Sequence, residues 1–259
     1  NNTVPEDKKF TLDLGEQTIT GGIINNGDME IEGNGTIICN NNTNYGRTIK
    51  NESSGNLIIN GGIFRNEKAN TIIENNGNFT MNNGKLIKDK NDGYNIINNG
   101  ITNINGGEII FSYINNSLQG AAVYNGSGSI VMQNGSITSA IYGVVVDGGT
   151  TKTTGGTITS TTSLWQAVVV RNTGRGEFIN TKITSTNGTS HAIYNLTDNP
   201  ENCVIRNRDS NYGIVGDIGG KIFATTNTGP GQSSEKVTLY NSGHGHSLIA
   251  IWSFNNNQD

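Results

Sequence analysis

Few side chains in this 259-residue sequence are equipped for chemistry, and they are scattered. Asp147 and Arg171 stand 24 positions apart, with Glu74 well upstream. An acid next to a guanidinium is either a structural ion pair or the start of a proton-abstracting cluster. These three are therefore the candidate ion-pair or alternative catalytic group. A second group is Lys88, Asp89, Asp92, Tyr94, Tyr113, Trp165 and His191. Aromatic faces with neighbouring hydrogen-bonding groups suit sugar rings, which are apolar on their C–H faces and polar at their hydroxyls. Those seven are the candidate binding residues. Asp89-Lys90-Asn91-Asp92-Gly93 sets two acids near a glycine without the alternating ligands of an EF-hand loop. Calcium is the metal those acids would suit, and no cofactor is expected. The sequence has no nucleophile elbow, phosphate loop or zinc-ligand spacing.

Composition narrows the setting. Glycine accounts for 36 residues and asparagine for 42, whereas only 15% of the chain is charged. Net charge is −4 and Ile and Val are frequent, which is not the high-charge, proline-rich signature of a disordered chain. A pI near 5.4 with no basic block excludes a phosphate-backbone binder, so no nucleic-acid partner is expected. No stretch approaches the roughly 18 apolar residues of a membrane span, so no membrane insertion is expected.

The asparagines and glycines recur in a pattern. Apolar anchors at Ile23, Ile49, Ile72, Ile96, Val123, Val145, Val169 and Ile193 are 22 to 27 residues apart. Ile214 and Leu239 are candidate continuations. After each anchor comes a glycine step, as in Gly61-Gly62-Ile63-Phe64, Asn83-Gly84-Lys85-Leu86 and Gly155-Gly156-Thr157-Ile158. The runs between alternate with period 2, the strand signal, and none has a helical period. A unit of this length with two or three short strands is a solenoid coil.

These repeats resemble the right-handed parallel β-helix of pectin-lyase-like proteins and of many bacterial surface proteins. The fold expected is all-β: a single-stranded right-handed parallel β-helix of about 8–10 coils with capped ends. Residues 1–22 are expected to form a linker and cap strand, with Phe10–Leu14 as cap. The coils would occupy 23–209, and the last coils and C-terminal cap 210–259, with Ser247–Phe254 as closing strand. Cys39 and Cys203 are too many coils apart to bridge and read as buried thiols.

Parity then assigns faces, because residues two apart in a strand share one. With Ile49 inward, Asn51 is inward too, and the matching column reads Asn25, Asn51, Glu74, Asn98, Asn125, Asp147, Arg171, Asn195. Amides stacked at the strand spacing of about 4.8 Å can bond coil to coil. The outward residues, among them Ile73, Ile97, Tyr124, Val146, Val170 and Tyr194, make an apolar outer face. That face is expected to be covered by the chain's own segments or to serve self-association or a partner.

The resemblance also supplies a test for catalysis. Polygalacturonase-type relatives carry four short motifs, of which Gly243-His244-Gly245 matches one and the other three are missing. Lyases of this architecture use calcium-holding carboxylates with an Arg or Lys base, for which Asp147, Arg171 and Glu74 are the available set. The function expected is a non-catalytic adhesin or stalk module. It would be extracellular or at the bacterial cell wall, part of a longer chain, and would bind a host-cell or matrix glycan or protein or serve as a spacer in a larger surface protein. A polysaccharide lyase or glycoside hydrolase is the first alternative, and a trimeric phage tail fibre or spike the second.

Overall fold

The computed structural model describes residues 2–40, 46–67, 71–90, 92–114, 120–162, 165–185, 191–197, 202–207, 218–219, 221–224 and 238–241. The regular elements among them are β-strands. β1 (Asn2–Val4), β2 (Lys9–Asp13) and β3 (Thr18–Thr20) form one coil, and β4 (Ile23–Asn25), β5 (Asp28–Glu32) and β6 (Thr36–Cys39) the next. Each strand pairs in parallel with its counterpart one coil on: β1 with β4, β2 with β5, β3 with β6. Repetition of that rule builds three parallel sheets of ten, ten and nine strands. Seven full coils run from β4 to the strand Lys182–Ser185. The chain is a parallel β-solenoid.

Its interior is a set of apolar columns. Met29, Leu57 and Phe79 stack along the second sheet, and Ile37, Phe64, Leu86 and Ile109 along the third. All are 2% exposed or less. Each such side chain contributes roughly 1.5–3 kcal/mol by leaving water. Glycine closes the corners where nothing else fits. A Cβ on Gly100 would lie 2.1 Å from the carbonyl oxygen of Gly77 in the coil below, and Gly84 has φ of +98°.

The first sheet carries the asparagine column, in a register that corrects three anchors. Ile49 pairs with Ile73, not Ile72, and Val123 with Val144, which pairs with Val168. The inward column is therefore Asn25, Asn51, Asn75, Asn98, Asn125, Val146, Val170 and Asn195. Asn25 Nδ2 donates to Asn51 Oδ1 at 2.8 Å, Asn51 to Asn75 at 2.8 Å, Asn75 to Asn98 at 2.9 Å and Asn98 to Asn125 at 3.0 Å. The ladder ends where Val146 begins, and Asn125 Nδ2 turns to the Thr150 carbonyl at 2.8 Å. Glu74, Asp147 and Arg171, expected in this column, lie outside it. Continuous apolar runs such as Val144–Val146 lose the period-2 signal that assigns faces, so parity slips by one there.

The ends also differ from expectation. Residues 2–20 supply a complete coil rather than linker and cap. Phe10 takes an inward position level with Met29 and remains 47% exposed. Thr238–Asn241 joins the second sheet beside Cys203–Asn207, not the asparagine-bearing sheet, which Lys221–Ala224 continues. Ile214, Gly243-His244-Gly245 and Ser247–Phe254 lie outside the described residues. Cys39 and Cys203 are both buried and not joined in a disulfide, and burial pushes the Cys203 thiol up to about 12.

Candidate functional site

The outer face of the first sheet changes character along the solenoid axis. In the early coils it is charged. Arg47 Nε donates to Glu74, and Lys50 Nζ to Glu52, across neighbouring positions. Further on, Glu74 aligns with Ile97, Ile97 with Tyr124, and Tyr124 with Val145. Val145 is followed by Val169 and Tyr194. A parallel column runs Thr71, Tyr94, Ala121, Tyr142. These two columns form a second apolar cluster outside the solenoid core. Ala121, Val145 and Val169 lie at its floor, with Tyr94, Tyr124, Tyr142, Tyr194 and Leu196 packed over them.

Val145 and Val169 point outward yet are each only 3% exposed. The apolar outer face is thus covered by side chains of its own sheet, the tyrosines above all, and these remain partly open to solvent. The Tyr94 and Tyr124 rings are 5.3 Å apart at 48°, and Tyr142 meets Trp165 edge-on at 4.8 Å. Contacts of this kind contribute roughly 0.5–1.5 kcal/mol beyond area burial and fix the ring planes. At about 4.8 Å per coil, Tyr94 and Tyr142 stand roughly 10 Å apart along the axis.

Asp147 closes one edge of this platform. It occupies the corner after the strand, its N–H bonded to the Asn125 carbonyl, so its side chain emerges on the outer surface. It accepts from Arg171 Nε at 2.9 Å, from the Tyr124 hydroxyl and from Asn172 Nδ2. Arg171 takes the same corner one coil on, bonded to the Val146 carbonyl. Desolvation by the packed face raises the hydroxyl pKa of Tyr94, Tyr124 and Tyr142. For Tyr124 the bond to Asp147 pushes the same way, and Arg171 opposes both. Burial pulls Arg171 down, but Asp147 outweighs it and the net shift is upward. The platform therefore presents neutral phenols, one guanidinium and an amide at neutral pH.

The two groups of sequence candidates are partly merged. Tyr94, Asp147 and Arg171 come together here, and Trp165, packed against the main core, touches the platform through Tyr142. Glu74 shares the face but sits three coils from the level of Asp147, about 14 Å along the axis. That exceeds the 5–9.5 Å between paired glycosidase carboxylates. Asp89 pairs instead with Arg65 on the third sheet's flank. Tyr113 packs against the main core. His191 opens the strand His191–Asn195, and its side chain lies outside the described residues. Lys88 is fully buried inside the solenoid, level with Phe111. Its Nζ donates to the Lys90 carbonyl at 3.1 Å. Desolvation lowers its pKa to about 8 against the raising influence of Asp92 and Asp89. Tyr142 and Asn172 belong to the platform without having been singled out; Tyr142, like Tyr94, lies two positions before an inward anchor.

Among the described residues no three His, Cys, Asp or Glu side chains gather as a metal site. Among the described residues no helix is long and apolar enough to cross a membrane. The fold and this face together define a parallel β-solenoid with an aromatic outer platform. Comparison with protein-family models, curated proteins and solved structures matches none of them to this chain.

Proposed function

We propose that this chain is a non-catalytic glycan-binding module, displayed outside the cell as in adhesin-type proteins of pectin-lyase-like architecture. The observation that carries this reading is the row of partly open tyrosines over Val145 and Val169, bordered by Arg171, Asp147 and Asn172. Sugar rings stack on such faces through C–H groups, while guanidinium and amide donors take the hydroxyls. Rings held by packing lose little freedom on binding, which favours affinity.

The test is titration calorimetry after a glycan-array screen with host and bacterial oligosaccharides. Tyr142→Ala and Tyr94→Ala should each weaken the best ligand about tenfold or more, the range of an aromatic anchor. Their circular dichroism should be unchanged. Binding indifferent to both substitutions refutes the assignment. Asp147 beside Arg171 is what favours the second reading, a polysaccharide lyase or hydrolase. Chromatography of the same ligands after incubation separates the two, because cleavage lost in Arg171→Ala would establish an enzyme.

A further inference from the structure

The corners between the second and third sheets carry a chemistry that neither scaffold nor platform uses. Ten Asn-Gly steps occur in the sequence, nine of them among the described residues. In such a step the glycine nitrogen can attack the asparagine Cγ, because no Cβ on the glycine blocks the approach. Ammonia leaves, a five-membered succinimide forms, and water opens it at either carbonyl, to aspartate or to isoaspartate. The reaction needs an amide side chain free to swing and a glycine N–H free to give up its proton to solvent.

The fold withholds these conditions from most of the steps. Asn99 Nδ2 donates to Asn76 Oδ1 at 3.1 Å, which holds both amides. Asn60 and Asn105 flank Asn82 in a ladder along the outside of the corner, with bonds of 2.8 Å. Asn125 is buried in the inner ladder, and Asn26 Nδ2 donates to the Val4 carbonyl. The N–H groups of Gly27, Gly100 and Gly126 are themselves bonded, to Asn25 Oδ1 and to the carbonyls of Asn75 and Asn98. Gly35, after Asn34, is buried away from solvent. Two steps remain, Asn83-Gly84 and Asn134-Gly135. They occupy the same corner two coils apart, since Lys85 aligns with Glu108 and Glu108 with Ser136. Both asparagines are exposed. Among the described residues neither side chain meets a hydrogen-bond partner, and neither does the N–H of Gly84 or Gly135. Both glycines are partly open to solvent, with φ of +98° and +95°.

We propose that Asn83 and Asn134 are modification sites, at which the folded protein deamidates without an enzyme ahead of its other described Asn-Gly steps. Each conversion puts a carboxylate in place of an amide, so two of them take the net charge from −4 to −6. Isoaspartate also inserts one main-chain atom ahead of Lys85 or Ser136. Their N–H bonds to the Gly62 and Gly107 carbonyls, at 2.9 and 3.0 Å, set the start of the next strand, so the modified corner is weaker. The test holds the folded protein at pH 8 and 37 °C beside a sample unfolded in guanidinium chloride, and follows both by peptide mass mapping. Asn83 and Asn134 should each gain one mass unit at close to their unfolded rates, and faster as pH rises. Asn60, Asn76 and Asn105 should lag about fivefold behind theirs, the range of one net hydrogen bond. Asn26, Asn99 and Asn125, held at both groups, should lag further. Asn134→Gln keeps Gly135 in place and should abolish conversion there, because glutamine closes a six-membered ring far more slowly, while Asn83 converts as before. Uniform rates across the nine steps of the folded protein would overturn the proposal, as would protection of Asn83 or Asn134 equal to that of Asn99.

Discussion

Replacing Lys88 by Met should make the protein more stable at neutral pH, against the usual outcome of a core substitution. Lys88 is fully buried, and desolvation lowers its pKa from 10.5 to about 8. Roughly 2.5 units at 1.36 kcal/mol each put the cost of carrying the buried cation at about 3 kcal/mol. Met fills the space of the lysine stem but loses the bond to the Lys90 carbonyl, worth about 1 kcal/mol. The variant should then gain about 2 kcal/mol at pH 7. The sign with pH follows from linkage. Between pH 8 and 10.5 the unfolded chain holds the Lys88 proton more tightly than the folded one, so this group's contribution to stability rises with pH. It is fully present above pH 10.5 and lost as pH falls through about 8. Cys203 works the other way, since its raised pKa removes stability as pH climbs from about 9 to 12. Subtracting the variant's urea-unfolding curve from that of the parent, from pH 6.5 to 10.5, cancels Cys203 and isolates Lys88. The difference should shrink with pH and change sign between about pH 9 and 10. A variant destabilised at pH 7, or a difference flat with pH, would refute the account of Lys88 as a desolvated cation.

The other expectations concern scaffold and platform. Asn98→Ala removes a donor to Asn125 and an acceptor for Asn75 in a buried ladder. It should cost about 2–4 kcal/mol in urea unfolding. Gly100→Ala should cost at least about 2 kcal/mol, because its Cβ would meet a backbone oxygen that cannot retreat without shifting a coil. Tyr124→Phe deletes one donor to Asp147 but keeps the ring and the Arg171 and Asn172 bonds. Its stability should change by less than about 1 kcal/mol, and glycan binding should survive. Val145→Lys would place a cation under the tyrosines and should lower the unfolding midpoint in denaturant, since that position is covered by the chain itself.

The architecture is legible because its requirements are local and repeated. Each corner needs an amide or a glycine at the same phase, so 22–27-residue spacings survive any change in the strands between. The face of each residue is legible only where polar and apolar types alternate. Arg47–Asn51 alternates enough to place Ile49 and Asn51 inward, as found. Thr71–Asn75 contains two adjacent isoleucines, both buried, and the strand register with the amide contacts of Asn75 settles which one is the anchor. Lys88 is the opposite case. Parity from Leu86 directs it inward, residue type directs it outward, and the fold follows parity. The platform was hidden because its members come from five coils and from two columns. Proximity across coils depends on register, which a one-residue slip changes.

The same valines that blur the register also create the candidate site. From Asn25 to Asn125 the inner corner is held by amides, and the outer face above it in the early coils carries Arg47, Lys50 and Glu74. At Val146 and Val170 the inner corner becomes apolar, and in those coils the outer positions become Val145 and Val169. Two valine faces back to back need cover on both sides. The core supplies it inside, and Tyr124, Tyr142 and Tyr194 supply it outside. Covering valines leaves a phenol with one face packed and an edge or hydroxyl free, so the coils in which the amide ladder gives way carry an aromatic outer surface. Asp147 and Arg171 then sit at the corner just past that change, where their charges face the rings rather than a stacked amide. The floor of Val145 and Val169 thus lies where the ladder stops, and Tyr94 and Tyr124 carry the platform back over the coils of Asn98 and Asn125. Moving that boundary gives a direct check. Val146→Asn together with Val145→Thr should extend the polar corner by one coil, loosen Tyr124 and Tyr142, and reduce glycan affinity while the solenoid remains folded.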